Sequence, residues 1–466
     1  MTLVALAQRL RDGETSPTEA VEYYLARIDA LDGSINSYIA VMEDEAREAA
    51  AALEGSQPRG GLWGVPVAVK DVIDVSGSPT TAASDVRRDV APADRDSAVV
   101  EGLRRAGAII LGKLNTHEFA YGAMTTSSRF GPSRNPWALD RIVGGSSGGS
   151  GACVAAELAA GTLGSDTAGS VRIPSCFNGV TGLRPTSGRI SNRGVVSVAF
   201  SFDAIGPLAR TAEDCALLLG AVAGFDPADA STVDVPVPDY TEGLEKGIEG
   251  LRVGVVRSLL GANVDGRIRE AVCEAIDELA GLGARVEDVE VPMLKHFGTI
   301  QQAMQFGEAT EVHLETLRTR LADYDPDVRA RLLTGLFIPS PVYALGNRGR
   351  LLAYELTREA FREVDVLVAP TMPTLPPRIG EDTVDLNGEE ILYRLTIIPF
   401  NSPWSLVGLP VLSVPCGFVD GLPAGLALVG WRFAEPTLFR AGHAFQQVTD
   451  WHSRRPQLEQ HAGMVE

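Results

Sequence analysis

Apolar positions along this chain recur with two periods, and the switches between them mark out its elements. Over residues 2–54 the pattern is helical. Ser16-Pro17-Thr18-Glu19 reads as a cap followed by a first-turn proline, and Val21, Tyr24, Leu25 and Ile28 then fall on one face. Short apolar runs behave differently. Residues 63–75 read as a buried strand running into a loop, 98–106 as a helix, and 108–112 as a strand. The small side chains Ala152, Val154, Ala155, Ala156 and Leu158 suit a tightly packed buried helix. Further on come a strand at 251–256, a helix near 266–282, a strand near 284–291 and a long helical stretch over roughly 300–362. A strand at 365–371 leads into a proline-rich loop, and strands at 410–416 and 425–430 precede a helix near 436–449. This alternation predicts an α/β fold, a large buried sheet with helices on both faces. No repeat, low-complexity tract or linker divides the chain, so one domain over 1–466 is expected, with a helical N-terminal segment over about 1–60.

Composition narrows the class. With 45% apolar residues, a substantial core is available, and the net charge of −19 argues against nucleic acid and anionic membrane surfaces as partners. No run of 18 apolar residues would span a bilayer, and the N-terminus lacks the basic and apolar regions of a signal peptide. The five cysteines are scattered without a Cys-x-x-Cys pair, as expected of reduced thiols in the cytoplasm. The histidines His117, His296, His313, His443, His452 and His461 form no ligand motif, so neither a metal nor a cofactor is expected.

Candidate chemistry sits in two glycine-rich loops. Residues 144–151 read Gly-Gly-Ser-Ser-Gly-Gly-Ser-Gly, and 164–174 read Gly-Ser-Asp-Thr-Ala-Gly-Ser-Val-Arg-Ile-Pro. Glycine brings backbone N–H groups close to a ligand, and serine offers a hydroxyl that is inert until a base takes its proton. Upstream, Lys70 ends an apolar run, where loss of water lowers a lysine's pKa and makes it a base. Two other readings compete. Gly144-Gly145-Ser146-Ser147-Gly148 also fits the nucleophile elbow of an α/β-hydrolase esterase, with Ser146 attacking. A phosphate-cradling loop is the second, but no lysine follows the glycines in the P-loop pattern.

Taken together, Lys70-Asp71, the block 144–151 and the block 164–174 resemble the amidase signature family of serine hydrolases. Phe130 to Trp137, Gly182 to Thr186, Asp203 to Thr211 and the tail Thr449-Asp450-Trp451-His452 are similar as well. The resemblance implies that family's large mixed twisted sheet and hydrolysis of a small-molecule amide, carbamate or ester. It implies Ser170 as nucleophile, Ser146 as a bridging hydroxyl after a cis peptide bond, and Lys70 as terminal base. Backbone N–H groups of Thr167, Ala168, Gly169 and Ser170 would form the oxyanion hole. Ala168 stands where the family usually has glycine, which narrows the pocket floor and keeps the N–H. Asp166 and Arg172 read as structural supports, and His117 as a packing or hydrogen-bonding residue. Phe119, Tyr121, Met124 and Thr125 are the candidates to line a substrate pocket, with core packing an equal alternative for the first three. Within the family, the glutaminase component of a tRNA-dependent amidotransferase is the alternative. The stretch 325–356 is poor in the tyrosines of such proteins and favours a stand-alone amidase, with a homodimer left open.

Overall fold

The short apolar runs pair into a single eleven-stranded mixed sheet in the computed structural model, which describes residues 1–458. His461 lies outside the described residues. In chain order the strands are β1 (Tyr38–Val41), β2 (Pro66–Lys70), β3 (Ile109–Leu114), β4 (Gly161–Asp166), β5 (Thr181–Arg184) and β6 (Ala204–Ala209). They continue with β7 (Arg252–Val256), β8 (Arg285–Val289), β9 (Val366–Pro370), β10 (Val411–Val419) and β11 (Leu422–Gly430). Their order across the sheet is β1-β3-β2-β4-β6-β5-β10-β11-β9-β7-β8. The β3-β2-β4 and β9-β7-β8 groups are parallel, and the strands between β4 and β9 pair antiparallel.

Helices flank this sheet. Strands β2, β3, β4, β5, β6, β9 and β11 are buried at every position, which requires cover on both faces. The edge strand β8 instead exposes Arg285, Glu287 and Asp288, charges that discourage pairing with another sheet.

Several expected elements stand where the pattern put them. Ser16 caps the helix Pro17–Ile35 through a reciprocal capping box with Glu19, and Val21, Tyr24, Leu25 and Ile28 are buried. Others differ for identifiable reasons. The N-terminal helical stretch is interrupted by β1, entered through Asn36 in the left-handed conformation at φ 59°. The long helical stretch is three helices, Leu294–Thr319, Pro326–Gly335 and Ser340–Ala360, broken where Pro326 and Pro339 deny the backbone a donor. The block beginning at Gly164 is not loop throughout, because residues 164–166 close β4 in the middle of the sheet. Glycine, serine and threonine weaken the strand signal there, although tight packing demands them. The helix Tyr393–Val407 escapes the apolar pattern because it carries Pro399 and Pro403 inside it.

Backbone approaches backbone closely at Gly206 of β6. A Cβ at this position would lie 2.0 Å from the Leu183 carbonyl oxygen, a backbone atom with no rotamer to change. Gly206→Ala is expected to cost about 1–3 kcal/mol of stability by overpacking. Urea denaturation monitored by tryptophan fluorescence measures this, and an unchanged midpoint would contradict the packing described.

Candidate active site

Lys70 lies at the C-terminal end of β2, and parallel pairing sets Val69 opposite Leu163 of β4. The C-terminal ends of both strands therefore open on the same side, where open α/β sheets place their ligand crevice. Lys70 is wholly buried, with Nζ 2.6 Å from Ser146 Oγ and 2.9 Å from Ser165 Oγ. Burial pulls its pKa down to about 7, against the opposing pull of Asp166 and Asp203. The Gly145–Ser146 peptide bond is cis. Beyond it, Ser147 locks the two serine loops together. Its N–H donates to the Ser170 carbonyl at 3.2 Å, and its hydroxyl donates to the Ser165 carbonyl at 3.0 Å while accepting from the Ser165 N–H at 3.2 Å.

The turn after β4 is organised by Asp166. Its carboxylate accepts the N–H groups of Gly169 at 2.8 Å and Val171 at 3.1 Å, and two donors of Arg172 at 2.8 and 3.0 Å. Arg184 of β5 adds a bond to the same carboxylate at 3.2 Å and a short one to the Asp166 carbonyl. All three side chains are fully buried. Burial alone would raise the Asp166 pKa, but Arg172 and Arg184 outweigh it and hold the carboxyl well below the usual range. Gly169 adopts φ 122°, and a Cβ there would meet the Asn401 side chain at 2.8 Å. The Gly169 N–H is thus taken by Asp166. No described hydrogen bond takes the N–H groups of Thr167, Ala168 or Ser170.

Ser170 opens on a cleft of about 640 Å³. Its lining includes the apolar Ala123, Met124, Ile173, Tyr393, Ile397 and Ile398, together with Gln302, Gln305 and Phe306. Asp327 and Arg331 close one side as an ion pair at 2.8 Å. Ser170 Oγ makes no hydrogen bond to a described residue.

A family model for Amidase matches residues 19–439. The chain belongs to the amidase family. It is 40% identical to a glutamyl-tRNA(Gln) amidotransferase component of Roseiflexus sp. (strain RS-1), over 98% of each chain. A solved structure described as a vestigial protein complex that reveals the evolutionary origins of an s-triazine catabolic enzyme superposes with a TM-score of 0.92. That chain is 36% identical, and the match covers 96% of this chain and 98% of that one. A bacterial aryl acylamidase of the amidase signature enzymes superposes with a TM-score of 0.89 at 28% identity, over 100% of this chain and 99% of that one. Amide C–N hydrolysis is therefore the chemistry of this amidase.

Among the expected pocket residues, Tyr121 and Met124 line the cleft, whereas Phe119 and Thr125 do not. Both of these have left-handed backbones, at φ 50° and 56°. Phe119 is buried against His313 and Tyr324, with ring centroids 4.4 and 5.5 Å away. Thr125 turns inward and donates to the Gly144 carbonyl at 2.8 Å. His117 is buried and paired with Asp327 at 3.1 Å, a hydrogen-bonding role. The esterase arrangement finds no support here, since Ser146 is wholly buried and no described hydrogen bond joins its hydroxyl to a histidine. Sequence reasoning missed Ser165, although it lies inside the quoted block, one residue before Asp166. It also missed the walls at 302–306 and 393–402, which carry no motif. Among the described residues, no group of three or more His, Cys, Asp or Glu side chains is placed to hold a metal ion, and no helix is long and apolar enough to cross a membrane.

The Asp166 cluster makes a stability prediction. Asp166→Ala leaves Arg172 and Arg184 buried without their counter-charge, and is expected to cost about 3–5 kcal/mol. Chemical denaturation measures the loss, and a change under ~1 kcal/mol would show that the arginines find other partners.

Proposed function

We propose that this amidase hydrolyses small uncharged amides through an acyl-enzyme on Ser170, with Ser146 as bridge and Lys70 as base. The observation that carries this reading is a fully buried lysine amine 2.6 Å from a serine hydroxyl, with a pKa near 7. Ser170 Oγ attacks the carbonyl carbon as its proton passes to Ser146 Oγ, and the Ser146 proton passes to Lys70 Nζ. The carbonyl oxygen, now negative, faces the uncommitted N–H groups of Thr167, Ala168 and Ser170, donors worth ~3–4 kcal/mol each where such groups have been removed. Collapse breaks the C–N bond, and the proton returns along the same path to the leaving nitrogen. Water then attacks the acyl carbon, gives its proton to the relay and releases Ser170.

The apolar wall of Met124, Ile173, Ile397 and Ile398 favours an uncharged acyl group. A second reading, glutaminase action within an amidotransferase, is favoured by the 40% identity to the Roseiflexus amidotransferase component. It is weakened by that wall, which offers a zwitterion no charge beside the reacting serine.

Two measurements test the assignment. Ser170→Ala should retain the fold, lose covalent labelling by a fluorophosphonate and fall below about a thousandth of the wild-type rate. Retention of a tenth of that rate would remove Ser170 as nucleophile. The second concerns pH. Lys70 accepts a proton only when neutral, so kcat/KM should rise with pH through about 7 and level off above it. Lys70→Ala should abolish that limb, and Lys70→Arg should not restore anilide hydrolysis, because guanidinium keeps its charge. Substantial anilide turnover by the arginine variant would exclude Lys70 as the base.

A further inference from the structure

The cleft differs from an ordinary apolar pocket in which of its polar groups are left free. Arg331 donates to Asp327 and to the Tyr121 carbonyl at 2.5 Å, and the Thr167 hydroxyl is given to Asp203 at 2.6 Å. These groups are spent on the protein. Gln302 and Gln305 are not. They stand three residues apart on the helix Leu294–Thr319, so both carboxamides lie on one face. Both line the cleft, half-buried, and neither makes a hydrogen bond to a described residue. Gln301 is their contrast. Its amide is buried and donates to the Thr167 carbonyl at 2.8 Å. Ser402, on the helix Tyr393–Val407, is 3% exposed, lines the same space and makes no hydrogen bond to a described residue through its hydroxyl. The ion-pair-free charges that line the cleft, Asp382 and Arg394, are both solvent-exposed, where water screens them.

The free groups inside are thus neutral, and each carboxamide offers both a donor and an acceptor. Left empty-handed in a half-buried wall, such groups lose affinity for any ligand that cannot pair with them. A carboxylate would use only their donors and would find its one unpaired cation among the lining residues, Arg394, out in solvent, whereas a second amide satisfies donor and acceptor together. We propose that Gln302, Gln305 and Ser402 form a recognition site for a second neutral amide or ureido group. The preferred substrates are then diamides, in which one carbonyl reacts at Ser170 and an apolar spacer crosses the wall of Ile397 and Ile398. This inference rests on the amidase reading above and names the substrate class that the same cleft selects.

The test compares four probes on the full chain: hexanamide, adipamide, adipamic acid and L-glutamine. Adipamide should exceed hexanamide in kcat/KM by about tenfold or more, after correction for its two equivalent ends, and adipamic acid and glutamine should fall below adipamide by a similar factor. In the double variant Gln302→Leu and Gln305→Leu the adipamide-to-hexanamide ratio should collapse to within about twofold of unity. Circular dichroism and fluorophosphonate labelling of the variant establish that the fold and the nucleophile survive. Equal rates on hexanamide and adipamide in the wild type, or an unchanged ratio in the variant, would overturn the inference and leave the amidase reading standing. Glutamine as the best probe would overturn it in favour of zwitterion recognition. No turnover of any of these probes by folded, labelled protein that still cleaves an anilide would overturn this inference alone, and loss of the anilide activity as well would remove the amidase reading with it.

Discussion

An amine kept in the interior without a carboxylate touching it is the constraint on which this structure turns. Lys70 is fully buried and its immediate partners are two hydroxyls, those of Ser146 and Ser165. A buried ammonium ordinarily keeps its charge by contact with an anion, and a contacting Asp or Glu would hold the lysine protonated and useless as a base. Two carboxyls, one buried and one half-buried, stand near enough to raise its pKa, yet neither is free to pair with it. Asp166 is committed to Arg172 and Arg184. Asp203 accepts from Thr167, Ser197 and the N–H groups of Val198 and Ala199. The neighbouring Lys113, likewise buried, has the ion pair that Lys70 lacks, with Asp71 at 3.0 Å.

The same commitments shape the turn that bears Ser170. Asp166 is at once the end of a central strand, the acceptor for two N–H groups of the turn and the counter-charge of two arginines. Arg172 reaches on to the Asn401 carbonyl at 2.9 Å and the Ser405 hydroxyl at 2.7 Å. One carboxylate therefore links the sheet, the serine turn and the helix that walls the cleft. Its occupation of the Gly169 N–H leaves the remaining donors of the turn directed elsewhere.

Legibility in the sequence followed the physics of each region. Lys70 and Ser146, which meet at 2.6 Å, and Ser170, which opens on the cleft, stand out in the sequence because glycine loops and a lysine at the end of an apolar run are local signals, and the amidase resemblance ties them together. Asp166 and Arg172 were readable as supports because they sit six residues apart in one turn. Strands β4 and β5 carry glycine and hydroxyl residues among their apolar ones, and Gly206 and Pro207 interrupt β6, so all three lacked the usual pattern. The cleft walls were illegible for another reason. Phe119 and Met124 are both apolar and five residues apart, and only the backbone turn at Phe119 decides that one faces the core and the other the cleft. Tyr393–Val407 hid behind two prolines, although tertiary packing sustains it as a helix.

That last helix, with the one at 294–319, has a consequence for how this enzyme changes over time. An anchoring residue stands directly beside a cleft-facing one on each. Gln301 holds the turn and Gln302 faces the cleft. Asn401 accepts from Arg172 and Ser402 faces the cleft. Mutational tolerance should therefore be interleaved at single-residue resolution, with permissive sites directly beside intolerant ones. Such a wall can change what the cleft touches at one set of positions while their neighbours keep the serine turn in place.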